Sequence, residues 1–218
     1  MKLEDPGLQV VGGQFVPYRI GREAYPSTAL VWSHVLPSAL NASLLDAAVE
    51  HQSEFEPTET EDDAEDYRRS LLWAMSDSWR QAVVDRLLEL EAAIKDFYQL
   101  RRFRLSSVES QFTTHNDGNF YKVHNDNGTP RTSDRAITFV YYLCKEPQPF
   151  TGGQLRIYDS IIKGVQWCQG DTFFDLQPTN NTLVVFLSRY YHEVLRVACP
   201  SGAFDDGRFT VNGWFRGS

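Results

Sequence analysis

Gly118-Asn119-Phe120-Tyr121-Lys122-Val123-His124-Asn125-Asp126 is a short β-rich run that ends on a histidine and an aspartate two positions apart. On a strand, residues two apart point to the same side, so His124 and Asp126 project together. A second imidazole would complete the smallest donor set that holds Fe(II) on one face and leaves the other face open. His192 follows 66 positions after Asp126 and must come from a distant strand brought alongside. Beyond it, Arg208-Phe209-Thr210 again places two polar side chains two positions apart. A cation and a hydroxyl so arranged could clamp the far carboxylate of a dicarboxylic co-substrate.

The surroundings suit this reading. From Phe103 onward, short β-rich runs alternate with Gly, Asn, Asp and Pro clusters. Strands are expected at 103–113, 119–124, 135–143, 153–158, 172–176, 182–187, 191–197 and 207–215. Arg135-Ala136-Ile137-Thr138-Phe139-Val140-Tyr141-Tyr142-Leu143 reads as a buried core strand, and Thr151-Gly152-Gly153 as a tight turn or bulge. Upstream, Val83, Leu87, Leu90, Ile94 and Phe97 recur at steps of four and three, which predicts a helix over 78–100 with one apolar stripe. A shorter helix is expected to end near His51, capped by Asn41 or Ser43. Residues 8–35 suggest early strands or irregular structure. The expected architecture is α+β but mainly β: a double-stranded β-helix, or jelly roll, over 103–218, backed by N-terminal strands and helices over 1–102.

Composition bounds the rest. At 218 residues with 42% hydrophobic content, the chain suits a single domain. The net charge of −8 is matched by the eight acids, and no base, between Glu54 and Asp66. The remainder is neutral, so no basic stripe for nucleic acid is expected. The acidic run reads as a mobile loop or a lid over a basic substrate. The longest apolar run, Thr182–Leu187, is too short to span a membrane, and the first residues lack an apolar signal region. A cytoplasmic location is expected, with Cys144, Cys168 and Cys199 as free thiols. Oligomeric state is not readable.

Gly118–Asp126, Gly152-Gly153-Gln154-Leu155-Arg156-Ile157-Tyr158, Leu183–Ser188, His192-Glu193-Val194 and Arg208–Phe215, in this order, resemble the prolyl hydroxylase branch of the 2-oxoglutarate/Fe(II) dioxygenases. Gly-Gly-x-Leu-Arg-Ile and His-Glu-Val are most similar to the oxygen-sensing and ribosomal-protein prolyl hydroxylases. The resemblance implies that His124, Asp126 and His192 ligate iron, and that Arg208, assisted by Thr210, pairs with the C5 carboxylate of 2-oxoglutarate. It implies hydroxylation of an unactivated C–H using dioxygen, with release of succinate and carbon dioxide and with ascorbate as reductant. The chain departs from the family in two places. The spacing from His192 to Arg208 is long, which leaves Arg196 as a rival for the same role. The tyrosine that many relatives place before the first ligand is replaced by His115 or Thr114, and Tyr121 could substitute.

Arg156, Arg135 and Trp214 are the candidate substrate contacts, with Asn125, Asn127 and Arg131 in a possible lid. The expected substrate is a prolyl residue in a peptide or protein. The alternatives are a free amino acid or small metabolite and, from another class, a non-catalytic jelly-roll metal- or ligand-binding protein.

Overall fold

The computed structural model describes residues 7–19, 21–58, 67–74 and 77–218. The chain opens with β1 (Leu8–Gly12), β2 (Ala24–Tyr25) and β3 (Thr28–Ser33), then α1 (Ser38–Glu50). Three short strands follow, β4 (Glu56–Pro57), β5 (Arg68–Arg69) and β6 (Leu71–Trp73), before α2 (Asp77–Phe97). The remaining strands are β7 (Leu105–His115), β8 (Phe120–His124), β9 (Arg135–Leu143), β10 (Thr151–Gly152), β11 (Leu155–Lys163), β12 (Gln166–Leu176), β13 (Thr182–Leu187), β14 (His192–Val194), β15 (Val197–Ala198) and β16 (Arg208–Gly217).

Two sheets result. The major sheet runs β1-β3-β13-β9-β16-β7-β6-β4, and the minor sheet runs β12-β11-β14-β8-β5 with β2 paired to β11. Every pairing is antiparallel, and β7, β8, β9 and β11, then β13, β14 and β16, pass alternately between the two large sheets, as in a jelly roll. The N-terminal half does more than back the core. β3 pairs with β13 and extends the major sheet, while β5 adds an edge to the minor one.

The strands β7, β9 and β16 explain how one sheet serves two purposes. Ile137, Phe139, Tyr141, Phe209, Val211, Phe215 and Phe112 alternate onto the apolar core and are almost fully buried. Thr138, Val140, Thr113, His115, Arg208, Thr210, Asn212 and Trp214 alternate onto the other face and line a cavity. Period-two side-chain alternation makes this division unavoidable once the register is set.

Helix α2 forms where its apolar stripe predicts. Val83, Leu87, Leu90 and Ile94 are buried in the same core cluster as the major sheet. Just past its end, the Tyr98 hydroxyl lies 2.9 Å from the Thr28 carbonyl and 3.0 Å from that of Val185, tying the helix to β3 and β13. Helix α1 ends at its expected place, but its cap does not. The N-cap is Pro37, without a side-chain hydrogen bond. Asn41 is instead buried inside the helix, where it accepts a 2.7 Å bond from the Tyr141 hydroxyl and donates to Asn180.

The start of the acidic run is not a loop. Glu54 closes a short 3-10 turn and Glu56–Pro57 pairs with Leu71–Leu72. Phe55 is the cause, because its buried ring packs against Trp73, Phe112 and Phe204. Residues 59–66, and with them the expected lid, lie outside the described residues.

Leu87 is completely buried where α2 meets the sheet. Leu87→Ala should therefore cost about 2–5 kcal/mol of stability, measured by urea unfolding. A loss below about 1 kcal/mol would mean that α2 does not pack as described.

Candidate active site

His124 ends β8 and His192 begins β14, and the two residues are register partners across that pair of strands. Asp126 follows His124 after a one-residue turn, its backbone N–H donating to the Ser188 carbonyl at 3.0 Å. The three side chains form a cluster whose ligand atoms lie within 4.8 Å of one another. His124 Nε2 is 3.6 Å from Asp126 Oδ1, and His192 Nε2 is 3.5 Å from Asp126 Oδ2.

Both imidazoles are oriented from behind. Nδ1 of His124 lies 2.8 Å from the Lys122 carbonyl, and Nδ1 of His192 lies 3.0 Å from that of Tyr190. A carbonyl only accepts, so each Nδ1 carries a proton and Nε2 is the ring atom left facing the cluster. The Tyr121 ring stacks on His124 at 3.7 Å, and the Phe186 ring meets His192 at 4.9 Å. Asp126 Oδ2 accepts a 2.6 Å bond from the Thr138 hydroxyl, which itself lies 3.0 Å from Ser188 Oγ.

The electrostatics suit a cation. Burial, and then the neighbouring His192, push the His124 pKa down to about 3, so its imidazole is neutral at pH 7. Burial alone would raise the Asp126 carboxyl, but the two imidazoles and the Thr138 hydroxyl outweigh it and hold the group below its usual range. Metal binding requires deprotonated ligands, and this set offers the neutral His124 imidazole, the Asp126 carboxylate and Nε2 of His192.

The cluster opens into a cavity of about 410 Å³. Deep in it, Arg208 is 2% exposed, its Nε donating to the Gly153 carbonyl at 2.9 Å and its guanidinium 4.9 Å from the Tyr142 ring centroid. Among the described residues no carboxylate pairs with it. The Gly152-Gly153 turn makes room for it. Both glycines have positive φ, and a Cβ on Gly153 would lie 2.8 Å from Arg208 Cδ. Thr210 lines the cavity beside Arg208, its hydroxyl 2.8 Å from that of Thr113. His115 pairs with Arg208 across β7 and β16 and is 3% exposed, and neither ring nitrogen has a hydrogen-bond partner. A buried cation without an acid, beside two unpartnered ring nitrogens, fits a cavity shaped for an anionic ligand.

The remaining expected residues divide. Tyr121, Asn125, Arg131, Arg135 and Trp214 line the cavity. Arg135 is held by Glu109 and lies 3.5 Å over the Trp214 ring. Arg156 does not line it. The alternation of β11 sends Leu155 inward and Arg156 outward, where Asp175 holds it through bonds of 2.8 and 2.9 Å. Arg196 is also outside, donating to the Gly118 carbonyl and lying over Phe120.

Thr138, Thr113, Asn212 and Arg68 line the cavity as well and were not singled out in the sequence. A lone hydroxyl in an otherwise apolar strand was the one available signal for Thr138. Arg68 lies far upstream, and only pairing with β8 brings it in.

His115 carries a pH prediction. Burial first, and then the Arg208 charge, hold its pKa well below the ordinary 6.5. Below pH 6.5 the unfolded chain binds a proton that the folded chain does not. His115's contribution is therefore fully present above pH 6.5 and is lost as pH falls, by up to about 1.4 kcal/mol per pH unit. In urea unfolding between pH 7 and 5, His115→Phe should show a shallower acid loss than the parent. Parallel profiles would contradict this.

Comparison with known proteins agrees with the geometry. Residues 110–216 match the family described as the 2OG-Fe(II) oxygenase superfamily. A curated relative, an uncharacterized PKHD-type hydroxylase of Synechocystis sp., is 37% identical over 182 residues. That match covers 81% of this chain and 59% of the relative. Among solved structures, a Pseudomonas putida prolyl-4-hydroxylase superposes with a TM-score of 0.62 at 26% identity, covering 86% of this chain and 91% of that one. A Trichoplax adhaerens prolyl hydroxylase, solved with a hypoxia inducible factor peptide fragment, shares the fold with a TM-score of 0.67 at 19% identity, covering 86% and 83%. No described helix is long and apolar enough to cross a membrane. The jelly-roll core of this chain, residues 110–216, belongs to the 2OG-Fe(II) oxygenase superfamily.

Proposed function

We propose that this chain is a 2-oxoglutarate- and Fe(II)-dependent hydroxylase, and that its substrate is a prolyl residue in a peptide or protein. One observation carries the reading. A His-Asp-His cluster and a buried arginine with no acid partner among the described residues share one cavity, on facing sheets. His124 and His192 would hold iron through Nε2, and Asp126 through its carboxylate. Arg208 would hold the far carboxylate of 2-oxoglutarate, with Thr210 beside it and His115 and Tyr121 flanking. Bound iron with 2-oxoglutarate and dioxygen supplies the oxidant that converts a C–H bond to C–OH, leaving succinate and carbon dioxide.

The protein's part is orientation. The Lys122 and Tyr190 carbonyls keep the imidazole protons away from the cluster. Thr138 fixes the carboxylate rotamer, as outer partners of metal ligands do. The Gly153 carbonyl holds the Arg208 fork at the depth where a dicarboxylate end would dock. Val140, Leu155 and Val194 supply the apolar lining near the reacting carbon. The prolyl assignment is supported by the likeness to the Pseudomonas putida enzyme.

Asp126→Ala should abolish both stoichiometric iron binding and 2-oxoglutarate turnover, read by metal analysis and succinate release with ascorbate present. Full retention of both would remove the ligand assignment. Arg208→Ala should leave metal binding intact and weaken 2-oxoglutarate by about 2–5 kcal/mol in apparent affinity. An equal loss in Arg196→Ala, with none in Arg208→Ala, would reverse the assignment of the clamp. A panel of proline-containing peptides beside free L-proline and other amino acids separates the substrate classes. Hydroxylation of free amino acids alone would sink the peptide reading and keep the oxygenase.

A further inference from the structure

The cavity contains a second cation that the proposed chemistry does not use. Arg68 lies on β5, opposite Tyr121 of β8, and lines the cavity from the minor-sheet side. Its Nε donates to Ser70 Oγ at 2.9 Å, and its guanidinium lies 4.7 Å from the Tyr121 ring centroid. No carboxylate among the described residues pairs with it. Arg135, by contrast, is held by Glu109. A guanidinium withdrawn from water without a directly paired carboxylate among the described residues is costly, and burial outweighs the pull of Tyr121 and Asp126 to hold its pKa below the ordinary value. A ligand that brings a negative charge would remove that cost.

The position says which ligand. The Tyr121 ring that Arg68 covers is the ring stacked 3.7 Å on His124. A group held by Arg68 therefore sits one aromatic ring away from the proposed metal, while Arg208 approaches from the major sheet. With Nε on Ser70 and the Tyr121 side chain as a second hydrogen-bond partner, the guanidinium still has donors for one carboxylate, whose planar geometry it matches.

We propose that Arg68 binds a carboxylate of the substrate, so that the C–H bond attacked lies near a carboxylate. This rests on the hydroxylase reading above and narrows its substrate class. The carboxylate could be a chain terminus, that of a free amino acid, or an acidic side chain beside the reacting residue. All three share the recognition chemistry, and the experiment separates them.

The test uses the full chain loaded with Mn(II) and 2-oxoglutarate, so that binding is read without turnover. Three probe pairs differ only in the charge: acetyl-Ala-Pro acid against its amide, L-proline against L-prolinamide, and acetyl-Pro-Glu amide against acetyl-Pro-Gln amide. Calorimetry should show at least one carboxylate member binding about 10- to 100-fold tighter than its neutral partner, as charged hydrogen bonds are worth. Arg68→Gln should bring that ratio close to one, and Arg68→Lys should keep part of it. Equal affinities in all three pairs would overturn the proposal, and so would a preference that survives in Arg68→Gln. The same pairs are then incubated with Fe(II) and dioxygen. Carboxylate-selective binding without hydroxylation sinks the prolyl hydroxylase reading and leaves Arg68 in its role. Equal hydroxylation of charged and neutral members does the reverse.

Discussion

Asp126 is a carboxylate kept ionised inside a protein, and much of the site's architecture answers the cost of that. A buried carboxylate loses several kcal/mol of hydration unless something replaces the water. Here the Thr138 hydroxyl, backed by Ser188 Oγ, donates to the carboxylate, and two imidazoles lie within 3.6 Å, placed to share a bound cation with it. These groups come from β8, β9, the segment after β13, and β14. Their convergence requires the two sheets to face each other at close range. The apolar packing of α2 and β3 behind the major sheet holds that arrangement, because the cavity-facing residues, though buried, are mostly polar.

The same constraint shapes the cavity beyond the metal cluster. Three neighbouring strands of the major sheet present alternate residues to opposite sides, so several polar residues in the cavity adjoin core residues in sequence. Arg208 sits beside Phe209, Thr210 beside Val211, and Thr138 between Ile137 and Phe139. A slip of one residue would exchange the faces and place a guanidinium in the apolar core. Register here is therefore a condition of stability as much as of function. The buried His115 belongs to the same economy of charge. Its low pKa follows from burial and from the charges of Arg208 and Arg68, and keeps a further positive charge out of that part of the cavity.

Much of this was legible before the fold was known. His-x-Asp, a distant His and Arg-x-Thr each obey the two-residue rule, which is local and survives any tertiary arrangement. The stripe of α2 and eight β-rich runs were also local patterns, and each corresponds to an element. The failures were of another kind. Asn41 has the chemistry of a cap, yet its amide serves Tyr141 and Asn180, which are 100 and 139 positions away. Arg156 sits in a matching motif, but strand parity and Asp175 turn it outward. Phe55 draws the start of an acidic run into the core.

The sequence by itself determined the donor set, the period of the strands, the helix stripe and the cation two positions before Thr210, because these depend on spacing along one segment. Tertiary structure decided which of two arginines enters the cavity, that Thr138 rather than a more obvious polar residue steadies the carboxylate, and that Arg68 joins the site from the far side of the acidic run. These outcomes depend on which strands become neighbours. Pairing across tens of residues is fixed by the burial of the whole core, a quantity that no local window of sequence contains.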